Sequence, residues 1–153
     1  LLVNKNGGAV DLDFANMFKE SLMPEGGAEI MGAYSHGLKV DLGNNKEMIF
    51  VTGQIAQDSN GNVVCEDIEG QTEYVFECIQ KILKEANSSL DDVVKAQIFL
   101  TDINDFSKVS PIRNKYFANS KPVSTLVEVN SLVKKGCKIE IEVIAIKENL
   151  YEK

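Results

Sequence analysis

In the last strand-forming stretch, Lys138 to Ile146, apolar side chains occupy both alternating sets of positions. Ile139, Ile141, Val143 and Ala145 fall on one side, with Glu140, Glu142, Ile144 and Ile146 on the other. Side chains of a strand point by turns to the two faces of its sheet, so this segment asks for cover on both. Val123 to Val129 makes a similar demand. There Val123, Thr125, Val127 and Val129 oppose Ser124, Leu126 and Glu128. A chain built around such strands needs helices over one sheet face and a second cover, such as a neighbouring subunit, over the other.

The helices are legible from a change of period. Val75, Phe76, Ile79, Ile82, Leu83 and Ala86 form one stripe, which predicts a helix over residues 69–86. A second helix is expected near Ile112, Tyr116 and Phe117. Ser110 reads as its N-cap and Pro111 as its first residue, because proline needs no amide partner there. Phe106 and Val109 fall in the preceding turn, and Asn119 to Pro122 ends the helix.

Leu38 to Leu42 and Met48 to Thr52 alternate about Gly43-Asn44-Asn45, a hairpin pattern. Ser59 to Asn62 reads as a turn leading to a short strand at Val63-Val64, and Val93 to Leu100 as a further strand. The expected fold is α+β: two layers, a mixed sheet of about five to six strands, and two helices on one face. Residues 30–150 form this single domain. Residues 1–29 read as a leader in which Asp13 caps a short amphipathic helix carrying Phe14, Ala15, Met17, Phe18 and Leu22, stopped by Pro24 to Gly27.

Several function classes recede on composition. The net charge of −7 opposes a phosphate backbone at long range, so nucleic acid is not the expected partner. Lys134, Lys135 and Lys138 read as a solvated rim. No apolar run is long enough to span a bilayer, and the start, which opens without methionine and leaves room for residues upstream, has no secretory pattern. Three cysteines without CxxC spacing and a single histidine, His36, predict no metal, no cofactor and a reducing, cytoplasmic setting. His36 is expected to be exposed, and Cys137, in the turn before the last strand, is not expected to act chemically.

The segments Gly32 to Ser35, Phe50 to Ile55, Ser88 to Lys95, Phe99 to Phe106, and Val127 to Val129 through Ile139 to Glu142 stand in one order over about residues 32–147. Together they resemble the reactive-intermediate deaminase family, also called the YjgF/YER057c/UK114 family. The resemblance implies a chorismate-mutase-like fold, a homotrimer whose sheets line a central barrel, and small-molecule clefts between subunits. It implies hydrolysis of 2-imino and 2-enamino acids to 2-oxo acids and ammonia, while some members are described as ribonucleases or translation inhibitors.

Carried over by position, Tyr34 and Glu140 are the catalytic candidates, and Thr52, Ser110, Ser124 and Leu126 the ligand-binding ones. Ala33 stands for the family's proline, Ser110 for its asparagine, Ser124 for its arginine and Leu126 for its cysteine. The arginine matters most, because a guanidinium pairs two nitrogens with both oxygens of a carboxylate and a hydroxyl cannot. The resulting expectation is a cleft that binds a small metabolite and hydrolyses a substrate outside the family's usual one. Arg113 and Lys121 are cations that nothing in the sequence places in that cleft.

Overall fold

The computed structural model describes residues 18–150. Six strands form one sheet in the order β1-β2-β3-β6-β4-β5. They are β1 (Lys19–Leu22), β2 (Gly37–Gly43), β3 (Lys46–Ile55), β4 (Val93–Leu100), β5 (Val123–Glu128) and β6 (Ile139–Glu148). Only β4 and β5 run parallel; they are joined by helix α2 (Phe106–Tyr116). The longer helix α1 (Ile68–Glu85) lies between β3 and β4 in sequence.

The β2–β3 hairpin forms because Asn44 and Asn45 both take positive φ, 53° and 63°. That is the geometry a two-residue turn between right-twisted strands requires. Helix α1 starts where the Asp67 carboxylate accepts from the Gly70 amide. Its predicted stripe is buried throughout, against Ile49 and Val51 of β3, Ala96 and Ile98 of β4, and Ile139, Ile141 and Val143 of β6. Phe76 ties the helices together, stacking on Tyr116 at 4.5 Å and meeting Phe117 edge-on at 5.2 Å.

The other sheet face has no cover among the described residues. Register places Phe50 beside Ile144, Met48 beside Ile146, and Phe99 between Glu140 and Val127. Phe50, Val127 and Ile146 are each more than a third exposed, and Val123 is 70% exposed. The doubly apolar pattern of β6 is therefore real, with one half buried and one half open, whereas on β5 only Leu126 is drawn partly into the core.

Four local expectations are corrected. Lys19–Leu22 is an edge strand paired to β2, not the end of a leader helix, and Leu22 is buried in the core. Pairing with an open sheet edge outweighed the weak helical pattern. The rest of that reading, Asp13 to Met17, lies outside the described residues. Helix α2 begins at Phe106 rather than Pro111, after a 3-10 turn at Ile103–Asp105 in which Asp102 accepts from the Asn104 amide. Pro111 sits inside the helix, so Val109 becomes a buried helical residue and Ser110 is no cap. Early capping and burial of Val109 and Phe117 outweigh the one amide that proline lacks. Val63 forms only an isolated bridge to Gln57, not a strand.

Candidate functional site

Strand β3 carries one extra residue between Val51 and Gln54 relative to β6. A bulge of this kind bends a strand and redirects its side chains. Here it is held by three bonds: the Thr52 amide to the His36 carbonyl (2.9 Å), Thr52 Oγ1 to the Ser35 carbonyl (2.6 Å), and Gln54 Nε2 to the Thr52 carbonyl (2.8 Å). Thr52 is thus tied to backbone through both its amide and its hydroxyl.

Gly53, at the bulge, is the residue that makes room for Glu140. A β-carbon there would lie 2.8 Å from the Glu140 carboxyl carbon. No side chain fits without pushing the carboxylate away. Gly53→Ala is expected to displace Glu140 and reduce any turnover by about 100-fold, in line with the cost of ångström-scale misplacement. Steady-state kinetics beside a thermal melt checks it, and near-normal turnover would show that the Glu140 position is not needed.

Glu140 is half-buried and lines a cavity of about 370 Å3 with Tyr34, Thr52, Gly53, Gln54 and Lys134. Burial pushes its carboxyl above the ordinary glutamate range, and the nearby Glu142 charge adds to the shift. Tyr34 is about half exposed and forms part of the cleft wall rather than a packed core. The same cleft reaches His36, which is buried and not exposed as expected. Its Nε2 donates to the Ala28 carbonyl at 2.7 Å, because the turn at residues 24–28 folds over the ring. Lys134, read as rim, is among the residues that line the cleft.

The other candidates lie elsewhere. Ser124 pairs with Ala96 and Leu126 with Ile98, both buried on the helix side. Glu140 pairs with Phe99 on the open face. Strand alternation thus sends Glu140 and Ser124 to opposite faces of the sheet. Ser124 lines a separate cleft of about 460 Å3 with Arg113, Phe117 and Lys121. Leu126 packs on the core. Ser110 Oγ accepts from Arg113 Nη2 at 3.2 Å. One chain therefore gathers Tyr34, Thr52 and Glu140 but does not bring Ser110, Ser124 or Leu126 to them.

Gln71 is a positioning residue that periodicity alone hides, because it falls on the apolar stripe. Fully buried, it donates to the Cys65 and Gly136 carbonyls (3.1 and 2.9 Å) and accepts from the Lys138 amide (2.8 Å). It anchors to α1 the loop that carries Lys134 and leads into Glu140. Cys137 in that loop is buried, and burial pushes its thiol up, away from the reactive thiolate.

This topology, with a carboxylate-bearing cleft at a strand bulge, defines a chorismate-mutase-like two-layer α+β domain. The chain belongs to the YjgF/RutC family: the family profile described as "Endoribonuclease L-PSP" matches residues 27–147. A RutC family protein of Pyrococcus abyssi is 45% identical over 133 residues, covering 86% of this chain and all of that one. The crystal structure of yeast Mmf1 matches with TM-score 0.75 and 32% identity over 85% of this chain and 99% of that one. Escherichia coli TdcF, crystallised with bound serine, matches with TM-score 0.72 and 29% identity over 84% and 99%.

Proposed function

We propose that this protein binds a small metabolite in clefts between the subunits of a homotrimer and hydrolyses a carbon–nitrogen bond there. The observation that carries this reading is the Glu140 carboxyl, held in the Tyr34 cleft with its pKa raised and Gly53 leaving it room. A general base works best when its pKa approaches the working pH. The carboxylate accepts a proton from water as the water oxygen bonds to an imine carbon, and the carboxyl then passes that proton to the nitrogen, giving a carbinolamine and regenerating the carboxylate. Transfer of the remaining hydroxyl proton to nitrogen then releases ammonia and leaves a carbonyl. Tyr34 and Lys134 supply donors for the departing nitrogen or an attached oxygen.

The trimer rests on the open apolar sheet face, for which a second and third copy are the occupants in keeping with the family resemblance. In such an assembly the Ser124 edge of one subunit can meet the Glu140 cleft of the next, joining what alternation separates within one chain. A mass in solution of three times the 16.9 kDa chain is expected, and a monomer at micromolar concentration would count against it. The bound serine of TdcF supports a ligand of amino-acid size. The family profile's endoribonuclease description points to RNA, but the charge of −7 opposes it.

The test couples a serine or threonine dehydratase to 2-oxo acid release, with a panel of small ligands followed by thermal shift. Acceleration over spontaneous hydrolysis is expected. Its acid limb should lie above the unperturbed glutamate value of about 4.3, because Glu140 acts only when ionised and ionises late. Neither ligand binding nor acceleration, or instead salt-dependent RNA cleavage by nuclease-free protein, would overturn the reading.

A further inference from the structure

The connection from β1 to β2, residues 23–36, has no helix or strand of its own, yet it supplies Ala28, Glu29, Met31, Tyr34 and His36 to the wall of the Glu140 cleft. Connections of about this length without regular structure are uncommon in compact domains and are usually functional. Its outer part rests on one polar contact. Among the described residues, the 2.7 Å bond from His36 Nε2 to the Ala28 carbonyl is the single hydrogen bond joining residues 24–34 to the rest of the fold. The bonds from the Gly27 amide to Pro24 and from the Tyr34 amide to Gly32 stay inside the connection. A carbonyl only accepts, so Nε2 carries the ring proton. Gly27 lets the backbone lie this close: a β-carbon there would stand 3.1 Å from Nε2.

His36 is itself held in place. It is 7% exposed, and the next residue, Gly37, packs so tightly on α1 that a β-carbon would lie 2.6 Å from Ile82 Cγ2. The His36 carbonyl accepts from the Thr52 amide at 2.9 Å and so helps to fix the bulge that seats Glu140 against Gly53. One residue thus holds two walls of the cleft, the bulge through its main chain and the Tyr34-bearing connection through its ring. A single neutral bond is a modest tie, so its loss frees the connection without opening the sheet.

We propose that His36 is a positioning residue for this cleft: its ring latches the β1–β2 connection and so sets how far Tyr34 stands from Glu140. The inference deepens the small-metabolite reading and rests on it for the identity of the cleft. It gives a part in ligand binding to a buried histidine that the chemistry itself does not use. Without the latch the connection frays outward, and a ligand meets a cleft that lacks one wall.

The test uses the full, tag-free chain, whose one histidine makes its ring nitrogen signals unambiguous in a 15N spectrum. The proton should sit on Nε2. L-serine is the probe for binding, by ligand-observed NMR titration, beside the dehydratase-coupled assay. His36→Leu should weaken L-serine about tenfold and raise KM in the same proportion, with kcat changed by less than about threefold. A glutamate-specific protease should also cut it about tenfold faster at the exposed Glu25 and Glu29, because cleavage follows local opening. His36→Gln should recover most of the affinity and protection, since its side-chain amide donates from nearly the same place. Gly27→Val should act like His36→Leu by crowding Nε2 from the half-buried connection, and it tests the latch even if His36→Leu unfolds.

The inference is overturned if the ring carries its proton on Nδ1 alone, or if His36→Gln is as impaired as His36→Leu. It also falls if His36→Leu and Gly27→Val keep L-serine affinity and KM within about twofold of wild type. Losses that merely follow the melting curve overturn it too, because the histidine is then structural only. The two readings fail separately. L-serine binding that needs the latch, in a protein with no hydrolytic activity, removes only the reaction. Turnover that needs Glu140 and ignores the His36 variants removes this inference alone. A wild type that neither binds L-serine nor accelerates hydrolysis removes both.

Discussion

Glu140→Gln is expected to lower the hydrolytic rate by about 100-fold or more while leaving the fold as stable as before, or more stable. The rate falls because an amide cannot take a proton from water, and loss of a general base typically costs about 10²–10⁴. The stability follows from linkage. Burial raises the Glu140 pKa in the folded chain above its unfolded value. Its contribution to stability is therefore present at low pH, below the unfolded pKa, and is lost as pH rises through the folded pKa. At neutral pH the wild-type chain carries a charge its surroundings disfavour, and glutamine does not. A rate assay paired with melts at pH 5 and pH 8 separates the cases. A variant that melts much earlier at pH 8, with its activity loss explained by unfolding, would make Glu140 a structural residue.

Gln71→Leu should have the largest effect on stability. Leucine fills a similar volume but leaves the Cys65 and Gly136 carbonyls and the Lys138 amide without their partner. An unsatisfied buried polar group costs about 1–3 kcal/mol. Three together should remove about 3 kcal/mol or more, and lower Tm by on the order of 10 °C in a domain of this size. Because the clamped loop carries Lys134 and leads into β6, ligand affinity at the Glu140 cleft should fall below the temperature at which the variant melts. A Tm within about 2 °C of wild type would mean that water replaces the clamp.

The contrast between Gln71 and its neighbours shows what a pattern can carry. Val75, Phe76 and Ile79 announce themselves by spacing, since any buried helix stripe must be apolar at those intervals. Gln71 occupies the same stripe, and nothing local says that three backbone groups from positions 65, 136 and 138 will converge on it. His36 is similar: its burial depends on a turn folding back from residues 24–28. Nothing in the local sequence says that Gly53 lies against Glu140, because the two meet only through the pairing of β3 with β6. Helix α2 was misplaced at its start because Ser110-Pro111 is a good opening signal. The structure opens the helix one turn earlier to bury Val109.

From the amino-acid order alone came two helices over one face of a mixed sheet, a second apolar sheet face awaiting cover, the Asn44-Asn45 hairpin, and the family to which these motifs belong. All of these rest on short-range rules: the period of a helix, the alternation of a strand, the φ a turn demands. The tertiary structure decided that Lys19–Leu22 completes the sheet, that a bulge and a missing β-carbon seat Glu140, and that Arg113 and Lys121 meet Ser124 on the face opposite Glu140. Those outcomes depend on which distant strands pair and in what register. A shift of one residue would turn each of those side chains to the other face, and such a long-range choice leaves little trace in any local window of sequence.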